Sequence, residues 1–128
     1  MKLFDEAVPV FFTATGLADG DLKHGETTPF LMDLHACYLS ELGAGEVVKI
    51  AAHHLGHDAK RARLMLTMHA VADGRLAGTV ELLLINMGIG TRKPAAWSAE
   101  QAALWAELKA AHASLPVMPQ AGRAIGAI

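Results

Sequence analysis

The chain has 128 residues, 52% of them hydrophobic, and a net charge of −2 with neutral histidines. That length fits a single domain over residues 1–128 with a substantial core, and the near-neutral charge excludes a nucleic-acid footprint. The lone Cys37 excludes an internal disulfide framework, and no apolar run reaches the ~18 residues of a membrane span.

The elements follow from periodicity. Over residues 2–16, Leu3, Ala7, Val10, Phe11 and Ala14 recur at three- and four-residue steps, and Phe4, Val8 and Phe12 widen the stripe into a largely buried helix. Gly16 supplies a stop. Pro9 removes one helical hydrogen bond, so either the helix kinks there or it begins near that residue. The early acidic pair Asp5 and Glu6 argues against a secretory signal and, with the free cysteine, for a cytoplasmic location.

Residues 17–29 read as a loop, punctuated by Gly20, Gly25 and Pro29. The period then becomes two. Phe30, Met32, Leu34, Ala36, Tyr38 and Leu42 form one strand face, and Asp33, His35, Cys37 and Glu41 the other. A turn at 42–45 leads to a second strand at 46–55, and a polar connection at 56–60 leads to a third at 61–72. Asp73-Gly74 signals a hairpin into a long last strand at 75–89, apolar on both faces. Ser98 and Gln101 have capping-box spacing for a helix to about Ser114, with Trp97 placed as a staple and Ala102, Trp105, Leu108 and His112 near one face. The tail, with Pro116, Pro119, Gly122 and Gly126, is expected to be irregular.

Four strands joined by short connections pair antiparallel, and their apolar face needs cover. The helix at 2–16 is the only element apolar enough to lie across it, so the fold class is α+β. The outer side of the last strand and the hydrophobic surplus point to a subunit interface.

The blocks LFDEAVPVFF (3–12), LMDLHACYLSELGAGE (31–46), GHDAKRARLML (56–66), GTRKPAAW (90–97) and HASLPVMPQAGR (112–123), in that order and spacing, resemble the hotdog-fold acyl-CoA thioesterases of the 4-hydroxybenzoyl-CoA thioesterase-like kind. Within that family the chain is most similar to the betainyl-CoA thioesterases of carnitine degradation. The resemblance implies a long apolar helix wrapped by an antiparallel sheet. It also implies a homodimer or tetramer, an acyl-CoA thioester as substrate at a subunit interface, no metal and no separate cofactor. Members usually carry a first strand and an Asp loop before the long helix, and that Asp is the catalytic carboxylate. Neither is found here, so three readings stay open: a shortened start, a different catalytic group, or a silent subunit that binds acyl-CoA or serves assembly.

Thioester hydrolysis needs a carboxylate and a donor for the carbonyl oxygen. Glu6, then Asp5, is the substitute carboxylate, although acidic residues in a first turn also complement the helix dipole. His35 sits two residues from Asp33 on one strand face and is a candidate base. Those two residues also suit an interface pair, and His35 is the only support for a dehydratase-like reading. Glu41 either matches an acidic family position or ties down the Gly43–Gly45 turn. Lys60 and Arg61, with Arg63 nearby, and Thr91, Arg92 and Lys93 form two polar clusters suited to CoA phosphates. His53 and His57 would share a strand face, but no carboxylate or cysteine completes a metal site. Cys37 reads as a small core or interface residue, and Tyr38 and Met68 as core rather than pocket.

Overall fold

The computed structural model describes residues 27–123. Within them the order is β1 (Thr27–Tyr38), β2 (Val48–His57), β3 (Arg61–Ala70), β4 (Leu76–Gly88) and α1 (Ala99–His112). The expected helix over 2–16, with Asp5 and Glu6, lies outside the described residues. The strands form one antiparallel sheet in the order β1-β4-β3-β2. Among the described residues β1 therefore lies beside β4, and β1 and β2 are the two outer strands of the sheet.

Local chemistry makes each connection. At the β2–β3 hairpin, Asp58 Oδ1 accepts from the Lys60 and Arg61 N–H groups at 2.9 and 2.7 Å, an Asp-directed turn. After β3 the turn is longer than the two residues Asp73-Gly74 suggest. Ala70 N–H reaches Arg75 O at 3.0 Å, and Gly74 takes a left-handed φ of 74° that few other residues adopt. Between β1 and β2, Glu46 closes the glycine turn by accepting from Gly43 N–H at 2.9 Å and also pairs with Arg75 at 2.8 Å. Glu41 was the sequence candidate for tying that turn, but Glu46 does so. Glu41 instead offers its backbone carbonyl to Arg75.

Two bulges correct the alternation read from the sequence. Leu31 pairs with Leu84 and Asp33 with Leu83, so Met32 is an inserted residue. An extra residue inverts the parity of everything beyond it. Phe30 consequently shares a face with Asp33, His35 and Cys37, not with Leu34 and Ala36. On β2 the bulge falls at Leu55, between His54 and Gly56, and puts His54 and His57 on one side. The expected pairing of His53 with His57 does not form for that reason.

One sheet face carries two apolar clusters. Leu66, Met68, Val80 and Leu82 form the first. Ala62, Leu64, Leu84, Trp97 and Trp105 form the second, with Leu104 and Leu108 packed against it, so α1 covers that end of the sheet. Ser98 caps α1 with both capping-box bonds in place. Trp97 does not staple to the first turn, where Ala102 is exposed. Its ring packs on Trp105, 5.4 Å between centroids, in the cluster with Ala62, Leu64 and Leu84. The helix buries Gln101 and Trp105.

Candidate active site

The opposite sheet face carries a charged cluster fixed by register. β1 pairs His35 with Glu81, and β3 brings Arg63 diagonally within reach. Arg63 Nη2 lies 2.5 Å from Glu81 Oε1. The second carboxylate oxygen accepts from Gly122 N–H at 2.7 Å, so the irregular tail folds back onto the sheet. Burial is the largest single influence on Glu81 and pushes its pKa up. The Arg63 hydrogen bond, the Gly122 N–H and the Arg63 charge together outweigh it and hold the carboxyl below its ordinary value. Glu81 is thus an ionised, fully engaged carboxylate at neutral pH.

His35 is half-buried beside it. Its Nδ1 is buried without a hydrogen-bond partner, and its Nε2 lies 3.9 Å from Cys37 Sγ. Arg123 Nη2 reaches the same sulfur at 3.7 Å. Asp33, on the same face, accepts from its neighbour Leu34 N–H at 2.9 Å. The strand pairing also sets Glu81 of β4 beside His35, on the face that Asp33 shares. A hollow of about 250 Å³ lies among Asp33, His35, Arg63, Glu81 and Arg123. A second, of about 300 Å³, lies among His57, Asp58, Arg61 and Arg63. Arg63 and Leu83 line both, so the two adjoin.

The two segments expected to anchor phosphates are each bonded to the end of β4, at Asn86 and at Gly88. Asn86 N–H donates to Lys60 O and Trp97 N–H to Ala59 O, both at 2.8 Å, which joins the β2–β3 hairpin to β4 and to the segment that follows it. Arg61 is already committed to Asp58 at 2.7 Å. The Lys60 N–H and the Arg61 side chain hold Asp58 down to about 2. Lys60, Arg92 and Lys93 are exposed, and no ion pair engages them among the described residues. Thr91 Oγ1 accepts from Lys93 N–H at 3.3 Å and serves its own turn. Arg92 sits at a left-handed φ of 56°.

Asp5 and Glu6 lie outside the described residues. Glu81 was not singled out in the sequence, where it sits among the apolar residues of the last strand; a lone acid in such a run is the signal that could have marked it. Among the described residues no group of three or more His, Cys, Asp or Glu is arranged to hold a metal ion. No described helix is long and apolar enough to cross a membrane.

A family model described as thioesterase-like superfamily matches residues 1–105. No curated protein matches the chain. Among solved structures, the Staphylococcus aureus protein SAV2348, determined in complex with CoA, is similar at 27% identity and a TM-score of 0.89, over 98% of this chain and 79% of that one. A DHNA-CoA thioesterase from Staphylococcus aureus is similar at 18% identity and a TM-score of 0.77, over 91% and 80%. A 1,4-dihydroxy-2-naphthoyl-CoA thioesterase from Synechocystis is similar at 12% and 0.72, over 84% and 80%. The last two are likenesses of fold.

Proposed function

The chain belongs to the thioesterase-like superfamily, with its hotdog-like fold, and on that premise we propose that it hydrolyses a small acyl-CoA thioester at a subunit interface. The observation that carries this reading is the likeness, over nearly the whole chain, to a protein solved with CoA bound. The exposed cations Lys60, Arg92 and Lys93, on segments bonded to the β4 end, support it, because cations with no ion pair among the described residues suit CoA phosphates. Arg61 and Thr91 join them as weaker anchors, since each already has a partner within its own turn.

Hydrolysis moves the acyl group from the CoA sulfur to water. It needs a carboxylate, as nucleophile or as base for the water, and a donor for the carbonyl oxygen. We assign the carboxylate to Glu6, with Asp5 as its alternate and His35 as a further base. Glu81 is not assigned this role, because both of its oxygens are engaged. The acyl group proposed first is betainyl, on the strength of the sequence resemblance, with a place in carnitine degradation in the cytoplasm.

The oligomer is proposed to be a homodimer, or a tetramer built from it. β1 is a sheet edge whose Phe30, Met32 and Tyr38 are 54%, 56% and 72% exposed, a surface that a second copy would cover.

Purified protein is to be incubated with betainyl-CoA and with short-chain and aromatic acyl-CoAs, and released CoA read with a thiol reagent. At least one thioester is expected to turn over. Glu6→Gln is expected to lower kcat by ~100-fold or more; unchanged turnover removes Glu6 from the site. Binding of CoA without hydrolysis of any thioester would replace the hydrolase by a silent binding or assembly subunit.

A further inference from the structure

Four of the chain's seven histidines meet where α1 lies against β2. The bulge at Leu55 brings His54 and His57 to one face, where His54 Nε2 lies 2.8 Å from His57 Nδ1. His54 is only 7% exposed. Its backbone N–H donates to Nδ1 of His112, in the last turn of α1, at 2.9 Å. His53 meets the His112 ring edge-on at 5.7 Å. His54 and His57 both lie against the fully buried Trp105, at 6.3 and 6.2 Å between ring centroids.

We propose that this histidine cluster is an acid-released latch, which holds α1 on the sheet while neutral and lets it go when protonated. Each contact limits the protons it tolerates. His112 Nδ1 accepts a backbone hydrogen, so a proton on that atom removes the bond. The His54–His57 bond needs one lone pair, so it survives one shared proton but not two. The other charged groups facing the cluster are Lys109 on α1 and Asp58 at the end of β2. Asp58 is already paired with Arg61. A proton on His54 or His57 therefore places a positive charge near Lys109, offset only in part by Asp58.

The electrostatics agree with the geometry. Burial first, then the charges of His57, His112, Lys109 and His53, push His54 down to about 4. Burial, then Lys109, lowers His57 against a smaller opposing effect of Asp58. Burial, then His112, lowers His53. A group whose pKa is lower docked than undocked favours the undocked state as pH falls. Release would reach beyond the helix. The segment leading into α1 is tied to the β2–β3 hairpin through Trp97 N–H and Ala59 O, next to Lys60. The latch does not depend on the chain's being a hydrolase.

Trp97 and Trp105 are the only two tryptophans, and both lie at this contact, so emission of the full-length protein reports on it. Titration from about pH 8 to about pH 4.5 is expected to shift emission to the red, with uptake of more than one proton, before the far-UV sheet signal is lost. His57→Gln and His112→Gln keep hydrogen-bonding capacity without titrating. Each is expected to lower the midpoint by about 0.5 pH unit or more. Emission constant over that range, a shift coincident with loss of the sheet, or unchanged midpoints in both variants would overturn the proposal. Should either variant fail to fold, NMR titration of the His53, His54 and His57 ring protons in the parent protein decides. Midpoints depressed and coincident with the emission change support the latch; ordinary midpoints unrelated to it refute it.

Discussion

Glu81 holds three parts of the molecule together: β4, the Arg63 side chain of β3, and the Gly122 N–H of the tail. Its side chain is 14% exposed and that of Arg63 is 46% exposed, so the pair is half-solvated. Glu81→Ala is therefore expected to cost about 1–2 kcal/mol in urea unfolding, less than a fully buried pair, and to free residues 119–123 to proteolysis. Gly88 makes a second prediction at this scale. A Cβ there would collide with Thr91 Oγ1. Gly88→Ala is expected to destabilise by about 1 kcal/mol or more, and Thr91→Ala in the same chain to recover much of it, as a double-mutant cycle would register. His54 sets a pH dependence. Its folded pKa, about 4, lies below the ordinary value of 6.5, so the unfolded chain binds the proton first. Stability is then full above about pH 6.5 and falls as pH drops toward 4, which urea midpoints at stepped pH would reveal.

α1 shows how far local chemistry reaches at the level of one element. Ser98 and Gln101 satisfy each other's backbone N–H groups, and Ser98→Ala is expected to cost ~1 kcal/mol. Trp105, fully buried between the sheet and Trp97, governs docking; Trp105→Ala is expected to cost ~3–5 kcal/mol by thermal or urea unfolding. The capping box was legible because its partners are three residues apart. The partner of Trp97 was not, because a staple is a rule about the first turn and Trp105 answers to the shape of the sheet. The strands divide in the same way. All four were legible in type and order from their period and turn residues. Their faces beyond Met32 and Leu55 were not, since a bulge is decided by the neighbouring strand and leaves no mark in the composition of its own.

For the whole molecule, an edge strand with exposed Phe30, Met32 and Tyr38 predicts self-association. Light scattering at micromolar concentration is expected to give twice the chain mass or more, and a monodisperse monomer would contradict it. The sequence by itself determined the four strands, the capped helix that follows them and, through blocks spread along the chain, the family. Those features depend on neighbours a few residues apart or on motifs that stay in chain order. Only the tertiary structure decided that Glu81 of β4 lies opposite His35, that Glu81 is held by Arg63 and Gly122, and that His54 and not His53 pairs with His57. Each of those contacts depends on which strands become neighbours and on a register shifted by one inserted residue, and such long-range pairing has no period to read.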